Sequence, residues 1–107
     1  LLQSLQSGHG SSRPARPQVI VLAPTRELVA QIAGEAAWLV EGSSVQVACI
    51  YGGVPYRTTK DELRDGADLI VATPGRLEDA CTRGDAALNE VRSVVLDEAD
   101  RMLDLGF

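Results

Sequence analysis

Four short apolar runs, rich in β-branched residues, recur along this 107-residue chain with a helix-like segment after each, and that alternation limits its fold more than any other feature. The runs cover residues 18–23, 45–51, 68–72 and 91–96. In Val19-Ile20-Val21-Leu22-Ala23 no polar residue interrupts the apolar ones, which is how a strand buried on both faces reads. Pro24-Thr25-Arg26-Glu27 then stops the strand and opens a helix, with Thr25 as N-cap and Glu27 in the favourable first turn. Leu28, Ile32, Ala36 and Val40 follow at four-residue spacing, flanked by Val29 and Leu39, and form one apolar face; Gly42 suits the C′ position. Thr59-Lys60-Asp61-Glu62 has the spacing of a capping box for a short helix closed by Gly66. Thr73 as N-cap and Pro74 at the first helical position open a third helix through Leu77 and Ala80 to Cys81, ended by Gly84. A further helix is expected to begin over residues 101–105. Strands and helices alternating through short links define right-handed βαβ units, hence an α/β fold with a parallel sheet.

The length suits one domain with a real core. Residues 1–17 read as the end of an upstream helix and an exposed loop, because 7–17 holds two Gly, three Ser and two Pro. Residues 18–107 read as an internal part of one domain, incomplete at both ends, since Leu1 and Phe107 look like cuts through a longer protein. No apolar run approaches the roughly 18 residues of a membrane span, so no membrane partner is expected. Cys49 lies in a strand-like run and Cys81 in a helix-like one, which reads as buried thiols of a reducing, intracellular compartment. Cys49, Cys81 and His9 do not make a metal set, since structural zinc wants four clustered ligands. The net charge of −5 argues against a lysine-rich nucleic-acid surface, so any phosphate binding must come from other donors.

Such donors stand at the strand ends. Pro24-Thr25-Arg26 and Thr73-Pro74-Gly75-Arg76 each combine a helix start with unpaired N–H groups, a hydroxyl and one arginine, which together make an anion site. Gly52-Gly53 has no side chain to block a close approach by a phosphodiester or sugar. Asp97-Glu98-Ala99-Asp100 ends the fourth strand with carboxylates suited to a hydrated Mg²⁺ on nucleotide phosphates. In a parallel sheet all four segments fall along the carboxyl edge, where ligands bind. Singly, each segment is also what any helix start or acidic turn requires. A line of them suits a sugar-phosphate backbone, and backbone amides can bind it without net positive charge, with a shallow salt dependence.

Pro24-Thr25-Arg26-Glu27-Leu28, Gly52-Gly53, Thr73-Pro74-Gly75-Arg76 and Val95-Leu96-Asp97-Glu98-Ala99-Asp100 stand in an order and at spacings that resemble the DEAD-box RNA helicases. Arg101-Met102-Leu103-Asp104-Leu105-Gly106-Phe107 looks like the same family, so the resemblance covers the chain from about Gln18 onward. It implies a partial RecA-like (P-loop NTPase) domain with helices on both faces of the sheet. By the same likeness Asp97 holds Mg²⁺ through water, Glu98 positions and deprotonates the attacking water, and Asp100 couples the site to a downstream Ser-Ala-Thr motif. Pro24, Thr25, Arg26, Gly52, Gly53, Thr73, Pro74, Gly75 and Arg76 would lie along the RNA backbone without reading its sequence. The implied cofactor is ATP with Mg²⁺, and the implied partners are RNA and a second RecA-like domain of the same parent. The parent is expected to be an ATP-dependent RNA helicase. The 107 residues hold no Gly-x-x-x-x-Gly-Lys-Thr phosphate loop, so the chain by itself is expected to be inactive and, with apolar sheet faces uncovered, poorly soluble. The alternative is a non-catalytic RNA-binding or interaction module of the same fold, which would have no need of Glu98. Two positions depart from the family: Val29 stands where Ala is usual, and Thr59 stands where Gln is common, so the resemblance assigns Thr59 no role.

Overall fold

β1 (Val19–Leu22) is the strand on which the sheet is built, pairing in parallel with β3 (Leu69–Ala72) on one side and β4 (Ser93–Leu96) on the other. β3 pairs in turn with β2 (Val47–Ile50), giving an all-parallel order β2-β3-β1-β4. This computed structural model describes residues 14–98; the helix expected from residue 101 and the coupling residue Asp100 lie outside them. α1 (Arg26–Leu39), α2 (Tyr56–Leu63) and α3 (Pro74–Thr82) connect the strands.

Alternate residues of each strand point to opposite faces, and each face has its own cover. Ile20, Ala48, Ile50, Ile70 and Ala72 pack with Leu63 of α2 and with Leu77 and Ala80 of α3. Val21, Val47, Cys49, Leu69 and Val71 pack with Leu28, Val29, Ile32 and Ala33 of α1. Val29 is fully buried there, so its extra methyl groups fill the α1 face of the core. Helices therefore cover both faces, as the α/β reading expects. Among the described residues no helix is long and apolar enough to cross a membrane.

Among the described residues β4 is the strand that carries the expected uncovered apolar surface. Its residues are as aliphatic as those of β1, yet Val94, Val95 and Leu96 are 56%, 50% and 54% exposed. It is an edge strand with open faces rather than a strand buried on both sides, because burial comes from helices packed above and below, and these favour the other three strands.

Two helix starts also differ. α2 begins at Tyr56 behind Pro55, whose φ of −57° pre-sets the turn, so Thr59 lies inside the helix and makes no capping box. Thr25 caps α1 as expected, its Oγ1 accepting the Leu28 N–H at 3.2 Å. Thr73 stands at the N-cap of α3 with Pro74 first in the helix, as expected, but its hydroxyl makes no cap bond and accepts the Gly52 N–H at 3.3 Å instead. Toward the N-terminus, Ala15 and Pro17 are buried, and Ala15 forms an isolated parallel bridge with Ala86 where an exposed connection was expected. Cys49 and Cys81 are free and half-buried, and burial raises both thiols above their ordinary range.

Candidate nucleic-acid and nucleotide edge

Register puts the strand ends at one level. Leu22 pairs with Ala72 and with Leu96, and Ile50 pairs with Ala72. The residues that follow, in the order Gly52 (β2), Thr73 (β3), Pro24 (β1) and Asp97 (β4), therefore form a row along the carboxyl edge. At an interstrand spacing of about 4.8 Å the row spans roughly 14 Å.

Three of the four segments meet in one shallow, open depression lined by Pro24, Arg26, Gly52, Thr73, Gly75 and Arg76. Pro24, Thr25 and Arg26 turn the chain from β1 into α1, and Pro74 is the first residue of α3. Gly53 has φ +87°, and a Cβ built on it would meet the Arg26 guanidinium at 3.6 Å. Glycine is favoured there by backbone conformation, since the contact to the arginine is an ordinary van der Waals one.

The two helix starts differ electrically. In α1 the cap hydroxyl of Thr25 takes the Leu28 N–H, and Glu27 sits in the first turn. In α3 no side chain caps the start and no acidic residue stands in the first turn. With the Thr73 hydroxyl turned to Gly52, the positive end of α3 borders the depression with neither a side-chain cap bond nor a first-turn carboxylate.

The two arginines also differ. Arg26 is 54% exposed, and its recorded partner is the exposed carboxylate of Glu27 at 3.5 Å, a weak pair. Arg76 is only 11% exposed. Its Nη1 donates to Thr59 Oγ1 at 2.8 Å and its Nη2 to the Val54 carbonyl at 3.0 Å, while the Asp79 carboxylate lies 3.9 Å from Nε. Its guanidinium also stands 5.6 Å from the Tyr56 ring centre, and Arg83 covers the same ring at 4.0 Å. The Tyr56 hydroxyl donates to Asp85 Oδ2 at 2.5 Å, and Lys60 lies 3.8 Å from the other oxygen of that carboxylate. Burial first, and then the Asp85 bond, push the Tyr56 phenol well above its ordinary value.

Thr59 is the residue that sequence reasoning missed. A signal was present: Tyr56, Thr59 and Leu63 share one helical stripe at i, i+3 and i+7, which points a polar residue at the core.

At β4 the Asp97 N–H donates to the Leu22 carbonyl at 2.8 Å, so the sheet ladder holds Asp97 at the row's end. Asp97 is half-buried and Glu98 exposed. Glu98 adopts φ +54°, an uncommon left-handed conformation for a residue other than glycine, and such backbones gather at functional sites. Among the described residues no group of three or more His, Cys, Asp or Glu side chains could cage a metal. A strand-end carboxylate pair fits instead a Mg²⁺ that keeps most of its waters and shares the ion with phosphates.

The parallel order, the helices on both faces and the acidic pair at a strand's carboxyl end define a partial RecA-like domain of the P-loop NTPase class. The comparisons narrow this. The family model for DEAD/DEAH box helicases matches residues 1–107, and the chain belongs to that family. It is 48% identical over 103 residues to DEAD-box ATP-dependent RNA helicase 46 of Arabidopsis thaliana, covering 96% of this chain and 16% of that protein. It is 44% identical over 108 residues to Nucleolar RNA helicase 2 of Rattus norvegicus, covering all of this chain and 14% of the relative. Among solved structures it superposes on the yeast DEAD-box splicing factor Prp28 with a TM-score of 0.80 at 40% identity, over 85% of this chain and 21% of that one. The chain thus spans about one-sixth to one-seventh of the length of these two curated relatives.

Proposed function

We propose that residues 18–107 are an internal part of the first RecA-like domain of an intracellular ATP-dependent RNA helicase, in which RNA-stimulated ATP hydrolysis drives duplex unwinding or remodelling. The observation that carries this reading is the single row at the carboxyl edge, with phosphate-binding devices on β1, β2 and β3 and the carboxylate pair on β4.

Pro24, Thr25, Arg26, Gly52, Gly53, Thr73, Pro74 and Gly75 would follow the RNA backbone through amides, hydroxyls and one exposed cation. Arg76 borders the same surface with its guanidinium turned inward. Backbone contacts carry no base information, so binding would be indifferent to sequence. Asp97 would hold Mg²⁺ through water beside Glu98, and the bound ion would neutralise charge on the nucleotide phosphates. Glu98 would orient the attacking water and accept its proton, and Asp100 would couple this site to a downstream segment. ATP binding needs a phosphate loop that these 107 residues do not contain, and a second RecA-like domain would close over both ligands.

Glu98→Gln in the intact helicase tests the catalytic role. RNA-stimulated ATP hydrolysis should fall by about 10²-fold or more, the scale of a lost general base, with RNA binding retained. Turnover near that of the unmodified enzyme would overturn the assignment.

A further inference from the structure

We propose that Arg76 is a positioning residue, locked by the buried Thr59 hydroxyl, and that it acts on RNA by fixing the Gly52–Gly53 turn rather than by pairing with a phosphate. The inference rests on the RNA-backbone reading above and assigns a role to Thr59, which the family likeness left without one.

The turn is clamped at both ends by a single segment. The Gly52 N–H is held by Thr73 Oγ1, and the Val54 carbonyl is held by Arg76 Nη2. Between these anchors Gly53 takes its left-handed φ of +87° beside the exposed Arg26 guanidinium. Residues 73–76 thus dictate where the glycine backbone lies relative to the start of α3.

Arg76 can hold its end only if the guanidinium is itself fixed, and Thr59 does this. Thr59 is 2% exposed, so its hydroxyl cannot turn to solvent for a substitute partner. Tyr56 supplies one wall of the slot and Asp79 balances the charge. Each terminal nitrogen of Arg76 already has one N–H committed inward and the side chain is only 11% exposed, so little of the guanidinium faces a phosphate at the edge. Among the described residues Arg26 has only its weak, exposed pair with Glu27. The two arginines of the edge therefore divide the work: Arg26 meets the phosphate, and Arg76 builds the surface it meets.

The test is binding of a single-stranded oligouridylate to the intact helicase across a range of salt, with Thr59→Val, Thr59→Ser, Arg76→Gln and the Thr59→Val/Arg76→Gln double variant. Thr59→Val keeps the shape and removes the acceptor; it should weaken RNA binding by about tenfold, the scale of one hydrogen bond to a charged group. Thr59→Ser should restore affinity to near that of the unmodified protein. The RNA concentration for half-maximal ATPase stimulation should rise in Thr59→Val while turnover at saturating RNA holds. Adding Thr59→Val to Arg76→Gln should cost little more than Arg76→Gln alone. The salt slope should stay unchanged in Arg76→Gln, whereas Arg26→Gln should reduce its magnitude by about 0.7, the loss of one phosphate contact on a single strand. Unaltered affinity in folded Thr59→Val, or a slope reduced by Arg76→Gln as it is by Arg26→Gln, overturns the inference. An unmodified helicase that binds no RNA overturns the function reading itself, and this inference with it.

Discussion

The carboxyl ends of β3 and β4 lie two strands apart in the sheet and are built in opposite ways. At β3, every strand residue but Leu69 is buried, the Thr73 N–H bonds to the Ile50 carbonyl, and its hydroxyl holds the neighbouring turn. At β4, all four residues are exposed, and the chain leaves the ladder through a residue with positive φ. The first end is a finished surface whose shape is set by interlocking hydrogen bonds. The second presents carboxylates on a strand whose packing is open. On the proposed function the first would meet a regular polymer, which rigidity suits, and the second would be one part of an ATPase site that a phosphate loop completes.

The largest effect expected from the comparison is chemical and belongs to β4. Glu98→Gln should cost the intact enzyme about 3–5 kcal/mol of transition-state stabilisation, the equivalent of a lost general base, with little change in thermal unfolding. Steady-state ATPase and calorimetry on the same preparation check both halves; a large loss of stability would mean that Glu98 holds the turn together instead. Next come the strands themselves. Ile70→Ala, at a fully buried position of β3, should destabilise the domain by about 2–5 kcal/mol, while Val95→Ala on β4 should stay near 0.5 kcal/mol in the 107-residue chain. Urea unfolding of both variants measures the contrast, and equal losses would mean that β4 is covered in solution.

A smaller effect is expected at the glycine turn. Gly53→Ala forces a side chain into the left-handed region and should cost about 1–2 kcal/mol, together with weaker binding of single-stranded RNA at every sequence tried. Loss of affinity for one sequence only would mean that the turn reads bases. The smallest is the staple between α2 and the loop after α3. Tyr56→Phe removes the bond to Asp85 and should cost about 1 kcal/mol at neutral pH. Because the fold raises the Tyr56 phenol above its ordinary value, the bond's contribution is whole below pH about 10 and is lost as pH rises through the folded value. Stability measured from pH 8 upward should therefore converge for the two proteins at the alkaline end. A constant difference would show that the Tyr56 hydroxyl contributes nothing through its proton.

Much of this edge was legible in the chain. Thr25 caps α1 because a hydroxyl one residue before a helical run has its partner three residues on, a relation that needs no tertiary context. The unbroken apolar runs alternating with helices announced parallel strands, as the pairing shows. The same local rule misplaced Thr59, which lies inside α2, and located Thr73 at its N-cap without telling where its hydroxyl would bond. Each has a better partner elsewhere, Arg76 for one and the Gly52 amide for the other, 17 and 21 residues away in sequence.

Which strand would be left open was illegible for a related reason, since an aliphatic run records what a strand can bury and not what is there to bury it. By itself, the order of residues determined the fold class, the family and the set of groups delivered to the carboxyl edge. Periodicity, caps and strand ends act within a few residues of one another. Only the tertiary structure decided the strand order, which arginine is exposed and which is locked, and that the Thr73 hydroxyl meets the glycine turn while the Thr59 hydroxyl meets Arg76. Those outcomes depend on competition among donors and acceptors that meet only once the sheet has formed.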